Sequence, residues 1–137
     1  MPRDRNRVIL PRVTTPHLVR LADATLLVLD DTGPLLGAAT DDPARLIGDA
    51  FGAGADTVVV PLARLHPDFL RLRTRIAGEF AQKFVNYRLR LVVLGDLGPH
   101  LEGSEALRDY VGESNRGDSV WFLADLPALE RRLSPAR

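Results

Sequence analysis

The densest set of groups able to do chemistry lies in Thr74–Arg88, TRIAGEFAQKFVNYR, where Glu79, Gln82, Lys83 and Asn86 crowd one short stretch. Lys83 is the one lysine of the chain; the other 17 of its 18 Lys and Arg side chains are arginine. A GC-rich bacterial genome explains the arginines and leaves the exception unexplained. An ammonium near a carboxylate offers two kinds of chemistry. Glu79 and Lys83 stand four apart, in the order that favours a helical ion pair contributing about 0.3–0.5 kcal/mol. In a pocket the same pair would serve an anionic ligand, Lys83 as cation or proton donor and Glu79 as general acid or base. Gln82 and Asn86 add little to an exposed helix, but as directional hydrogen-bonding groups they suit a recognition surface. Gly78 lies among them. Glycine inside a helix costs about 1 kcal/mol relative to alanine, a cost that close approach of another backbone would explain.

A second set follows apolar runs. His66 comes after TVVVPL, Asp96 sits in Gly95-Asp96-Leu97-Gly98, and Asp125 follows VWFL. Ligands of open α/β sheets gather beyond the carboxyl ends of the strands, and oxygen ligands there suit hard cations. Aspartate after a strand is also a common turn former, and Asp125, ahead of Leu126-Pro127, has a helix to cap. Asp96 and His66 are therefore the rim candidates. A third polar cluster runs from Arg108 to Asn115. Arg108 joins Glu79, Gln82, Lys83 and Asn86 as a candidate binding residue. Glu113, close to a helix end whose dipole it opposes, calls for a salt bridge to an arginine. Trp121, on an apolar strand, reads as core.

Several chemistries find no motif. There is no GxGxxG after a strand, no GxxxxGK[ST] and no GxSxG, so neither standard phosphate loop nor a nucleophile elbow is expected. His17, His66 and His100 show no paired spacing, and no metal or cofactor is expected. The absence of cysteine excludes disulfides, thiolate zinc sites and a cysteine nucleophile. A formal net charge of zero exerts no global pull on nucleic acid or anionic lipid, although Arg3, Arg5, Arg7 and Arg12 make a local basic start. No apolar run approaches the roughly 18 residues of a membrane span. Val8-Ile9-Leu10 stops at Pro11, without the core of a signal peptide. The expectation is a cytoplasmic protein with neither nucleic-acid nor membrane partners.

The elements that must position these groups are legible as alternating runs. A chain of 137 residues suits one domain with one core: an N-terminal extension over residues 1–16, then a domain over 17–137. His17–Leu21 and Ala24–Leu29 predict a hairpin about Ala22-Asp23. Asp42, as N-cap, and Pro43, at the first helical position, start a helix. Its face carries Leu46, Ile47, Ala50 and Phe51, and Gly52 or Gly54 ends it. Thr57–Leu62 is a β-branched run suited to a central strand. His66-Pro67-Asp68 opens a segment whose helix places Ile76, Ala77, Phe80, Phe84 and Tyr87 on one side. Leu89–Leu94 and Val120–Leu123 are strands. Between them a helix capped by Ser104 ends near Gly117, and a last helix follows Asp125. The fold class is α/β: a single-layer, mixed, mostly parallel sheet of four or five strands, with an N-terminal β-hairpin and about four helices.

The blocks DFLRLRTRIAGEFAQKFVNYRLRLVVLGD, EALRDYVGESNRG and VWF together resemble a bacterial family catalogued as domain of unknown function 4180, over about residues 17–133. Arg75 and Leu70 depart from that resemblance, which implies a small residue and an aromatic at those positions. The hairpin, the alternation and the polar helix start also resemble the STAS fold of sulfate transporters and anti-sigma antagonists. Regulatory domains of that class carry a phosphorylatable serine at this helix start; here Thr74 is the first hydroxyl.

Two functional expectations follow. The first is a regulatory module that binds a protein partner through Glu79, Gln82, Lys83, Asn86 and Arg108. The second is an enzyme or small-molecule binder that uses Lys83 and Glu79 on an anionic ligand. Self-association about Gly78, giving a homodimer, is a third arrangement of the same surface.

Overall fold

The computed structural model describes residues 17–38 and 42–134; the N-terminal extension, residues 1–16, lies outside them. Strands β1 (His17–Leu21) and β2 (Ala24–Val28) form the expected antiparallel hairpin, closed by Ala22-Asp23 with Leu21 opposite Ala24. From β2 onward the chain alternates. Helix α1 (Ala44–Ala53) leads to β3 (Thr57–Pro61), α2 (Ile76–Asn86) to β4 (Arg90–Leu94), and α3 (Gly98–Glu102) with α4 (Glu105–Arg116) to β5 (Val120–Leu123), before α5 (Leu126–Leu133). The strands lie in chain order, β1-β2-β3-β4-β5, and every pair after the hairpin is parallel. The sheet is thus a single mixed layer, and the described residues form five α-helices.

Strand side chains alternate between faces. On one face Val58, Val60, Leu91, Val93 and Phe122 pack with Leu46, Ile47 and Ala50 of α1, Phe80 and Phe84 of α2, and Leu107 of α4. On the other, Leu26, Val59, Val92 and Trp121 pack with Leu129 and Leu133 of α5. Burial on both faces explains why β3 is an unbroken apolar run with no polar alternation. Trp121 belongs to this second core, its indole N–H donating to the Gly117 carbonyl at 2.7 Å, with the guanidinium groups of Arg90 and Arg132 4.4 and 4.3 Å from the ring centroid.

The helix ends follow local chemistry. Gly54 takes the left-handed conformation, φ 75°, while the Ala55 N–H reaches back to the Ala50 carbonyl, the Schellman ending that glycine favours. Helix α2 ends the same way with an arginine. Arg88 has φ 61°, the Leu89 N–H donates to Phe84 and the Arg88 N–H to Val85. At the start of α2, Arg75 is also left-handed, φ 65°, a conformation that costs a residue with a Cβ about 1–2 kcal/mol. This is the position where the family resemblance implies a small residue. Ser104 and Asp125 cap α4 and α5 as expected, accepting from the N–H groups of Leu107 and Ala128.

Three expectations need correction. The first helix starts at Ala44 with Pro43 as its N-cap, because Asp42, one residue earlier, turns back to accept the Ala44 N–H at 3.0 Å. The segment opened by His66 is not yet α-helical; it makes two 3-10 turns, Pro67–Leu70 and Leu72–Thr74, before α2. Phe51 and Tyr87, assigned to apolar helix faces, are 53% and 55% exposed. Tyr87 lies just past the last residue of α2, where the period no longer aims it inward, and it meets Phe51 edge-on at 5.8 Å.

Phe84 is fully buried where α2 crosses the sheet. Truncating it to alanine should cost about 3–5 kcal/mol, read as a lower denaturation midpoint with an unchanged denaturant slope. A loss below about 1 kcal/mol would mean that α2 does not pack as described.

Candidate functional site

The residues singled out on α2 share its solvent side. Glu79, Gln82, Lys83 and Asn86 are exposed, and the Gln82 amide donates to Asn86 Oδ1 at 2.9 Å. Lys83 does not pair with Glu79. Its Nζ lies 3.4 Å from Asp42 Oδ1, so the bond runs from α2 to the residue ahead of α1. Gly78 faces open space within the chain, with nothing inside 4 Å of a would-be Cβ. Arg108 lies on α4, where its Nη1 donates to the Leu101 carbonyl at 2.7 Å and so ties α4 to α3.

The rim residues serve their own loops. Asp96 Oδ1 accepts the Gly98 N–H, and His66 Nδ1 accepts the Asp68 N–H. Thr74 Oγ1 stands within hydrogen-bond distance of the Asp68 and Arg71 carbonyls and accepts the Ile76 N–H, closing the turn into α2. Glu113 pairs with Arg116 at 2.6 Å, the arginine salt bridge expected for it. Asn115 works differently. Its side-chain amide both donates to the carbonyl and accepts from the N–H of Phe122, completing the ladder of the edge strand β5. Among the described residues no group of three or more His, Asp or Glu side chains is placed to hold a metal ion, and no helix is long and apolar enough to cross a membrane.

The group that sequence patterns missed is Arg64. It ends a 3-10 turn, Leu62–Arg64, directly after β3, and only 6% of it is exposed. Its guanidinium is wrapped by the loop that follows β2: Nε donates to the Pro34 carbonyl at 2.9 Å, and Nη1 to those of Asp30 and Thr32 at 3.0 and 3.3 Å. Gly33, at φ 141°, folds so closely over the group that a Cβ there would sit 2.9 Å from Cζ. The main chain reinforces the clasp. The Leu36 N–H donates to the Arg64 carbonyl and the His66 N–H to that of Leu36. Among the described residues Arg64 has no carboxylate partner, and its Nη2 has no hydrogen-bond partner.

Arg64 lines a cavity of about 430 Å³ at the carboxyl ends of β2 and β3, where α1 begins. Its apolar wall is Leu29, Pro34, Leu36, Leu46 and Phe80; its charged rim is Asp42, Arg45 and Asp49. This is the edge where open parallel sheets bind ligands, though the crevice lies between β2 and β3, and neither Asp96 nor His66 lines it. Among the described residues larger hollows occur at the amino ends of the strands beside Arg88 and between the 3-10 turns of residues 67–74 and the α3–α4 corner. The charged groups that line them remain accessible to solvent, with none buried. The signal for Arg64 is faint: one cation set between Leu62 and Leu65 just past a buried strand, in a chain with 17 arginines.

Asp42 carries the resolved electrostatic perturbation at this rim. The Ala44 N–H, and then the charge and hydrogen bond of Lys83, hold its carboxyl below the usual 3.8. The folded state therefore favours the ionised form. That contribution to stability is complete above the unfolded carboxyl's pKa and is lost as pH falls through the lowered folded value. An NMR pH titration should place the Asp42 midpoint below 3.8. In Lys83→Met it should rise only part of the way, because the backbone hydrogen bond is the larger cause. A wild-type midpoint at or above the ordinary value would contradict this geometry.

No curated protein and no solved structure matches the chain. The family model described as Domain of unknown function (DUF4180) matches residues 21–133, which takes in β2 to α5, the Arg64 clasp and the α2 face; the chain belongs to that family.

Proposed function

We propose that the chain is a binding domain whose ligand is a small anion held beside Arg64. The observation that carries this reading is a buried guanidinium with no carboxylate partner among the described residues and an unbonded nitrogen, in the wall of a cavity. Removing a charge from water costs several kcal/mol unless the charge is paired and hydrogen-bonded. Three carbonyl dipoles offset part of that cost, and an anion in the cavity would offset more. Binding is favoured over catalysis by the lining itself. It holds no hydroxyl, thiol or imidazole, and the Asp42 carboxylate is engaged by Ala44 and Lys83, which makes it a weak base.

Thermal unfolding in a panel of acetate, benzoate, sulfate and inorganic phosphate tests the reading. A ligand at about 100 times its Kd stabilises the native state by about 2.7 kcal/mol, so at least one anion should raise the wild-type Tm by several degrees, saturably. Arg64→Lys keeps the charge but loses the planar fork, and should lose that response. No saturable response from any anion, or an equal response in Arg64→Lys, would overturn the proposal.

A second reading, contact with another protein molecule and a regulatory role, rests on the aromatic pair of Phe51 and Tyr87. Both rings are more than half exposed, and they sit where α1 and α2 end, on the helix pair that also displays Gln82, Lys83 and Asn86. Aromatic side chains are enriched at interface cores. With a second copy of the chain as the partner, the mass in solution should rise with concentration for wild type and not for Tyr87→Ser. A wild type that stays monomeric at high concentration would remove this version.

A further inference from the structure

We infer that the cavity beside Arg64 takes a monocarboxylic acid with an apolar body. The inference rests on the anion-binding reading above and names the class of ligand. Three features of the clasp lead to it. The first is donor supply. Nε and Nη1 are committed to the Asp30, Thr32 and Pro34 carbonyls, and among the described residues only Nη2 of the buried guanidinium is without a hydrogen-bond partner. A carboxylate is satisfied by such a small donor set, whereas a phosphate group is ordinarily gripped by several cations or by a run of backbone N–H groups.

The second feature is that the start of α1, which borders the cavity, already carries a carboxylate. Pro43 has no N–H, and the next donor, Ala44 N–H, is already taken by the Asp42 carboxylate. A phosphate at this helix N-terminus would have to share it with the Asp42 carboxylate. The charged rim agrees. With Lys83 held on Asp42, the cations Arg45, Arg64 and Lys83 exceed Asp42 and Asp49 by one, so one negative charge on the ligand is matched and a second would meet two carboxylates unmatched.

The third feature is the rest of the wall. Leu29, Pro34, Leu36, Leu46 and Phe80 present hydrocarbon, and about 430 Å³ lies within the range of small-molecule sites. A ligand that is all charge would leave this surface without a partner. One with a short chain or a ring would cover it, and each buried methylene should tighten binding about fourfold.

Isothermal titration of the full chain at pH 7 with acetate, butyrate, hexanoate, hexan-1-ol and inorganic phosphate reads out all three features. The expected result is affinity that climbs about fourfold per methylene from acetate to hexanoate. Phosphate and the uncharged alcohol should each bind at least tenfold more weakly than hexanoate. Arg64→Lys should weaken hexanoate at least tenfold. Leu36→Phe, which narrows the apolar wall and leaves the guanidinium in place, should weaken hexanoate more than acetate, and it serves if Arg64→Lys does not fold. Phosphate binding more tightly than hexanoate, and lost in Arg64→Lys, would overturn the ligand class while the anion site stood. Hexanoate bound equally by wild type and Arg64→Lys, or not bound at all, would overturn the class and the site together.

Discussion

One guanidinium organises the carboxyl edge of this domain. Arg64 leaves the end of β3 and binds three main-chain carbonyls of the loop that leaves β2, so two neighbouring strands are tied together beyond the point where their own ladder ends. Charged hydrogen bonds of this kind contribute about 1.5–3 kcal/mol each, and burying the charge costs an amount of the same order. The clasp is therefore close to balance as a source of stability, and its larger effect is geometric. It folds Gly33 over the guanidinium, brings Leu36 alongside Leu65, and leaves an apolar hollow whose one buried polar group is the arginine.

The remaining structure holds that hollow still. The sheet is buried on both faces, by α1, α2 and α4 on one side and α5 on the other. Its β5 edge is tied by side chains rather than by a further strand. Asn115 pairs with Phe122 at the β5 edge, and Arg132 reaches the carbonyls of Asn115 and Gly117 while lying against Trp121. A crevice at the carboxyl ends of strands held in this way is preorganised, and little ordering is required of it when a ligand enters.

Much of this was legible in the chain. The alternation of apolar runs with helical periodicity located all five strands, and Gly54, Ser104 and Asp125 marked helix ends by conformational and hydrogen-bonding preferences that act locally. Errors arose where a side chain's surroundings depended on distant segments. Phe51 and Tyr87 fit an inward helical face by period alone, yet they stand near helix ends and meet each other there, more than half exposed. Lys83 had a good local partner in Glu79 and took Asp42, 41 residues away, instead. Arg64 was invisible for a related reason: its burial is created by the loop around residues 30–34, and no pattern near residue 64 announces that loop.

The one lysine then finds a place in the same argument. Arginine serves elsewhere in this chain as a planar fork over carbonyls and an indole ring, at Arg64, Arg90 and Arg132. Lys83 instead supplies a compact point charge to a single carboxylate oxygen of Asp42. The carboxylate it steadies is the one that accepts the Ala44 N–H and so sets a negative charge at the first turn of α1. On the proposed function, the pair of Asp42 and Lys83 lets the rim cations exceed the rim carboxylates by one, and selectivity in this crevice comes from that charge balance as much as from the buried donor of Arg64.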